Sequence, residues 1–294
     1  MRKTATWLLL SFFRLLAFAP RVFVRAAARA VGELAFIFAR YRRRVALRNL
    51  ELCFPDWSEE KKAAVARAHF CCYARAFIER FQVWFGTPAR LKKEIQLRDF
   101  HYFSAHEPGP IIVLAPHFLG LDAGGVRFQM ERRFVSLYSE QSNEELNDWT
   151  RRGRERFNDP ILVSRQQGLS TAARWLKRGL PFYFLPDMDL GRREAVFVPF
   201  FGVPAATVTS VVRLSRMMNA VVVPLVTRMT SDGYEARFYP GWRHPNDDQV
   251  ETIEQGVRRM NAFIEARILE MPEQYLWTHR RFKTRPRGEP SLYA

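Results

Sequence analysis

Short, unbroken apolar runs punctuate this chain, and they limit what it can fold into. Pro110-Ile111-Ile112-Val113-Leu114 leads into Ala115-Pro116, and Pro181-Phe182-Tyr183-Phe184-Leu185 leads into Pro186-Asp187. Ala220-Val221-Val222-Val223-Pro224-Leu225-Val226 is a third such run. Runs of this length with no polar alternation fit buried strands. Phe134–Tyr138 reads as another strand, and Tyr234–Tyr239 alternates like an edge strand. Helical segments fall between them: Glu59–Phe85, Asn143–Phe157, Thr171–Arg178, Thr207–Met218 and Val250–Leu269. Ser58 is placed to cap the first of these, with Glu59 and Glu60 at its positive end. Strands alternating with helices predict an α/β layered domain. A hydrophobic share of 48% over 294 residues supplies a core for it.

The first of these runs continues into Ala115-Pro116-His117-Phe118-Leu119-Gly120-Leu121-Asp122. A neutral imidazole can take a proton from an alcohol, and a carboxylate can fix its tautomer. Five residues along a continuous helix turn by roughly 140°, so His117 and Asp122 would not share a face. They meet only if the segment bends, which Pro116 and Gly120 permit. The segment therefore reads as strand, turn, helix, with His117 on the turn. A loop histidine bonded to a backbone group fits the same isolated spacing, so the motif needs support from elsewhere in the chain.

The net charge of +16 is concentrated at the two ends. Residues 1–48 carry eleven Lys or Arg against one acid, Glu33, and Arg280–Arg287 adds five basic side chains with no acid. Such surfaces suit acidic headgroups, nucleic acid or an acidic protein. The near-neutral middle, the apolar start and the absence of a recognition motif argue against nucleic acid. Trp7–Ala19 is apolar but short and interrupted by Arg14, and Arg21, Arg25, Arg29 and Arg40 continue the pattern. Residues 1–45 are therefore expected to form a membrane-anchoring helical segment, shallow or spanning, with Arg42-Arg43-Arg44 at the cytoplasmic headgroups. Residues 46–294 would form the catalytic domain. Cys53, Cys71 and Cys72 make no disulfide framework, which suggests a reducing compartment, and no cofactor or metal signature appears.

Asp187 and Asp189 follow a strand, as His117 does, and α/β sheets place their sites at such strand ends. They could contact substrate or simply cap a turn. Arg151, Arg152, Arg154 and Arg156 cluster between two elements and could hold a phosphate or an acidic carrier, or lie on a solvated face.

Taken in order, Ala115–Asp122, Pro186-Asp187-Met188-Asp189-Leu190-Gly191, Val196–Gly202 and Glu273–Pro286 resemble the bacterial lipid A biosynthesis acyltransferases. The terminal His279-Arg280-Arg281-Phe282-Lys283-Thr284-Arg285-Pro286 resembles the lauroyl branch more than the myristoyl branch. The resemblance implies a glycerolipid-acyltransferase-like fold, a mixed sheet flanked by helices. It implies a catalytic dyad of His117 and Asp122, with Arg154 (Arg156 in reserve) and Asp187 at the substrate; Asp189, from its place after the same strand, is expected at the substrate with them. It implies acyl–acyl carrier protein as donor, a Kdo-bearing lipid A precursor as acceptor, and a place among inner-membrane lipids on the cytoplasmic face. Met188 stands where many members carry Gln or His. Another glycolipid or an aminolipid as acceptor, or a catalytically silent membrane-binding homologue, are the competing expectations.

Overall fold

The computed structural model describes residues 19–140, 143–164 and 167–293. The helices in chain order are α1 (Arg21–Phe38), α2 (Arg40–Cys53), α3 (Glu59–Phe85), α4 (Pro88–Glu94), α5 (His101–Ser104), α6 (Leu121–Gln129), α7 (Glu144–Arg154), α8 (Leu169–Lys177), α9 (Ser210–Met218) and α10 (Ile253–Glu270). The strands are β1 (Ile95–Arg98), β2 (Ile111–Leu114), β3 (Val135–Tyr138), β4 (Ile161–Ser164), β5 (Phe182–Phe184), β6 (Ala195–Phe200), β7 (Val203–Val208), β8 (Val221–Thr230) and β9 (Gly233–Phe238). Seven strands form one sheet in the order β1-β9-β8-β2-β5-β3-β4, and β6 pairs with β7 as a separate hairpin. Within the sheet only β8 and β9 are antiparallel, so the sheet is mixed, as expected.

All four residues of β2 are buried, because helices cover both faces of the sheet. Successive side chains then pack to opposite sides. Ile112, Leu114, Phe182 and Val222 join Val257 and Ile264 of α10 in one cluster. Ile111, Val113, Tyr183 and Val223 join Phe81 and Trp84 of α3 in the other. This is why these strands carry apolar runs and not alternation.

Helix α3 spans the residues that its pattern predicts, and Ser58 accepts a hydrogen bond from the Lys61 N–H as its cap. Two elements differ from expectation. The alternation over 234–239 predicts an edge strand, but β9 lies between β8 and β1, because Ile95–Arg98 adds a parallel strand on its outer side. Thr207 and Val208 end β7, and the helix begins only at Ser210. Gly124 lets α6 lie directly on β8: a Cβ there would stand 1.9 Å from the Thr227 Oγ1.

The N-terminal segment requires a correction. Among the described residues, no helix is long and apolar enough to cross a membrane. This overturns the fold expected with a membrane-anchoring N-terminal helix, and the placement at an inner membrane that rested on it. The run Trp7–Phe18 lies outside the described residues. From residue 21 onward the chain is part of the packed domain. Helix α1 buries Val24, Ala28 and Gly32, and a Cβ on Gly32 would meet the Cys71 Cα of α3 at 2.4 Å. Helix α2 runs through residue 45 to Cys53, across the boundary expected there, and buries Ala46, Asn49 and Leu50.

Candidate active site

The register of two neighbouring strands builds the site. β2 and β5 run parallel with Leu114 opposite Phe184. Three residues beyond each partner stand His117 and Asp187, at the C-terminal edge of the sheet. The Asp187 carboxylate takes two hydrogen bonds from this one residue. Its Oδ2 accepts from the His117 backbone N–H at 2.9 Å, and its Oδ1 lies 2.7 Å from the ring Nδ1. Asp187 is 2% exposed. Burial pushes its carboxyl up, but the His117 imidazole and the Arg281 guanidinium outweigh burial and hold it below the ordinary carboxylate range. An ionised Asp187 fixes the proton on Nδ1. Nε2 is left as the acceptor, and among the described residues nothing bonds it.

The terminal motif braces this turn. The His117 carbonyl accepts from the Leu276 N–H at 3.1 Å, and the Leu119 N–H donates to the Gln274 carbonyl at 2.8 Å. The Gln274 side chain is itself locked onto the Met229 backbone in both directions, at 2.7 and 3.2 Å. The Asn49 amide of α2 holds the Trp277 and His279 carbonyls at 2.7 Å each. Arg281 is 2% exposed and donates to the Ala206 carbonyl and the Thr207 hydroxyl at 2.8 and 2.7 Å. Buried so, it places a fixed positive charge behind Asp187.

The structure gives the other expected residues different neighbours. Asp122 makes no hydrogen bond to His117 among the described residues. It sits in the first turn of α6, 2.7 Å from the Arg80 Nε and 3.0 Å from an Arg154 nitrogen. Burial raises its carboxyl, but the Arg80 and Arg154 charges win and hold it at about 2. The chain does bend between His117 and Asp122, with a turn from the Phe118 carbonyl to the Leu121 N–H. That bend turns the Asp122 carboxylate toward α3 and α7. Arg156 donates to the Val83 and Gly86 carbonyls at the end of α3, at 3.0 and 2.8 Å, and so satisfies a helix C-terminus. Asp189 accepts from the Gly191 N–H, the Thr284 N–H and the Thr284 hydroxyl at 3.0, 2.6 and 2.7 Å. It ties the loop after β5 to the terminal motif.

An apolar cavity of about 440 Å³ adjoins the site, lined in part by Phe70, Tyr73, Phe77, Met188, Leu276 and His279. Met188 follows Asp187 in sequence, and Leu276 is bonded to His117. Sequence reasoning passed over Arg80 and His279. Arg80 carries a signal, a cation between Phe77, Phe81 and Trp84 on an apolar helix. His279 lies in the terminal motif, with no role readable from spacing. No group of three or more His, Cys, Asp or Glu among the described residues could hold a metal ion.

A histidine whose tautomer is set by a buried carboxylate, at a strand end with Met188 and Leu276 of an apolar cavity close by, is an arrangement suited to group transfer or hydrolysis on a greasy substrate. The chain belongs to the bacterial lipid A biosynthesis acyltransferase family, whose sequence profile matches residues 1–284. It is 34% identical to a lipid A biosynthesis lauroyltransferase of Escherichia coli K12, over 98% of this chain and 94% of that protein. It is 33% identical to the palmitoleoyltransferase of the same strain, over 90% and 86%. The myristoyltransferase of that strain is 27% identical over 99% and 91%. A crystallised 1-acyl-sn-glycerophosphate acyltransferase from Thermotoga maritima aligns over 82% of this chain and 98% of its own, at 12% identity and a TM-score of 0.36, too distant to build on. The chain is thus an acyltransferase of lipid A biosynthesis.

Proposed function

We propose that this protein moves a fatty acyl chain from an acyl–acyl carrier protein thioester to a free hydroxyl of a Kdo-bearing lipid A precursor, with His117 as general base. The observation that carries the reading is the pair of bonds from His117 to Asp187, which leaves Nε2 without a partner among the described residues, while Met188 next to Asp187 and Leu276 bonded to His117 line an apolar cavity. His117 Nε2 takes the proton from the acceptor hydroxyl, and the oxygen attacks the thioester carbonyl carbon. A carbon–oxygen bond forms and the carbon–sulfur bond breaks. The departing thiolate recovers the proton from the imidazolium, so no acyl-enzyme is needed. Asp187 stabilises the charged ring during the step.

In this reading Asp122 is a positioning residue. It holds the Arg80 and Arg154 guanidinium groups on either side of one carboxylate. Those cations suit the phosphates of the glycolipid or the acidic carrier. Asp189 and Arg156 act through the loops they fix. The relatives' names cover lauroyl, palmitoleoyl and myristoyl donors, so the test offers all three chain lengths. Each acyl-carrier thioester is incubated with the Kdo-lipid A precursor, and the product is weighed by mass spectrometry. A mass gain of one acyl group that disappears in His117→Ala bears the reading out. Transfer by His117→Ala at the wild-type rate removes it.

A further inference from the structure

Acyl transfer from a thioester makes one demand that the His117–Asp187 pair does not meet. Negative charge grows on the thioester carbonyl oxygen, and a preorganised donor must meet it. The pair supplies the base and has no donor to spare.

His279 has the required features. Its Nε2 accepts a hydrogen bond from the Asp189 backbone N–H at 3.0 Å. A nitrogen that accepts carries no proton, so in the neutral ring the proton is on Nδ1. Asp189 is immobilised in turn by three bonds to Gly191 and Thr284, so the ring is held from behind. The His279 carbonyl is pinned by Asn49. Among the described residues nothing bonds Nδ1, and His279 lines the apolar cavity together with Leu276, whose N–H is bonded to the His117 carbonyl. Burial lowers the affinity of the ring for a second proton, and the neighbouring His117 and Arg281 lower it further, to a pKa of about 4. The imidazole therefore stays neutral while a base works beside it. A neutral donor does not compete with His117 for the acceptor's proton.

We propose that His279 is a second catalytic residue, whose Nδ1–H donates a hydrogen bond to the thioester carbonyl oxygen as the oxyanion forms. The inference rests on the acyl-transfer reading of the site. It makes Asp189 a positioning residue for the oxyanion donor, as Asp187 is for the base.

Two variants test it in the full-length protein. Glutamine reaches the position of Nε2, so His279→Gln keeps an acceptor for the Asp189 N–H and removes the donor at Nδ1. Asparagine places an amide near Nδ1, so His279→Asn restores a donor there and gives up the Asp189 contact. With acyl-carrier thioester and Kdo-lipid A precursor both varied, His279→Gln is expected to lose about 10²–10³ in kcat with KM nearly unchanged. His279→Asn is expected to recover at least tenfold of that loss, although it is the variant that breaks the structural contact. A purely structural role predicts the reverse order, with the glutamine variant active and the asparagine variant impaired. That order, or a loss carried by KM alone, overturns the inference. Thermal unfolding of both variants accompanies the kinetics; if the glutamine variant is unfolded, the asparagine variant decides. A folded asparagine variant no better than His279→Ala overturns the proposal, and a better one upholds it. Wild-type transfer that is lost in His117→Ala checks the underlying reading separately. If that control fails, the function falls; if it holds, the His279 series judges the donor alone.

Discussion

Replacing Asp187 by Asn changes one atom's chemistry without changing the volume of the site, and it should cripple catalysis. The carboxylate accepts both from the His117 backbone N–H at 2.9 Å and from the ring Nδ1 at 2.7 Å. An amide has one acceptor and one donor. If its oxygen stays on the backbone N–H, its NH₂ group faces Nδ1 and forces that nitrogen to accept. The ring proton then moves to Nε2, the atom that must take the substrate's proton. The same tautomer error in a triad hydrolase costs about 10⁴ in kcat. Here it would raise the barrier by roughly 5.4 kcal/mol, at about 1.36 kcal/mol per tenfold. The assay is single-turnover transfer from a pre-bound acyl thioester, read by the mass of the acylated glycolipid, with thermal unfolding to establish that the variant is folded. Asp122→Asn runs alongside, because it removes the carboxylate nearest to His117 in sequence while leaving the ring's bond intact. A folded Asp187→Asn protein with more than a tenth of wild-type kcat would refute the assignment. So would a pair of variants in which Asp122→Asn alone lost the chemical step.

Three other contacts carry predictions of their own. The Asp122 carboxyl is held at about 2 against an ordinary 3.8. Its contribution, roughly 2 kcal/mol at about 1.36 kcal/mol per unit, is present in full above pH ~4 and lost as pH falls through about 2; urea unfolding of Asp122→Asn should lack that part of the acid limb. Gly124→Ala would drive a methyl to 1.9 Å from the Thr227 Oγ1 and to 3.1 Å from its Cβ, and should cost about 1–3 kcal/mol in a urea melt, with Thr227→Ala recovering part of the loss. Gln274→Ala leaves the Met229 N–H and carbonyl unpaired in a buried place, and should cost about 2 kcal/mol or more by the same melt, with a fall in kcat because Gln274 also carries the carbonyl that holds Leu119.

The sequence alone marked His117, the strand before it and the turn that presents it, because those features are local: an apolar run, a proline and a glycine within a dozen residues. It also located α3 and its serine cap, and the motifs by which the family is recognised. The N-terminal expectation failed for an instructive reason. Arginines interspersed with apolar residues fit a helix lying on lipid, yet α1 packs Val24, Ala28 and Gly32 into the domain, with Gly32 against α3. Periodicity shows that a face is apolar and does not name what covers it.

The carboxylate that bonds the His117 ring could not be found that way. Asp122 is five residues from His117 and faces two arginines, whereas Asp187 is seventy residues away and holds the ring. Only the sheet makes the second pair neighbours. Strand order sets β5 beside β2, parallel register sets Phe184 opposite Leu114, and three further residues on each side complete the contact. His279 reaches the cavity by the same kind of long-range placement, carried by a terminal segment that pairs with the His117 turn. Hydrophobic spacing determines elements because it is a property of one segment. The geometry of a proton transfer is a property of two segments at once, and the pairing energy that aligns them is spread across the whole sheet.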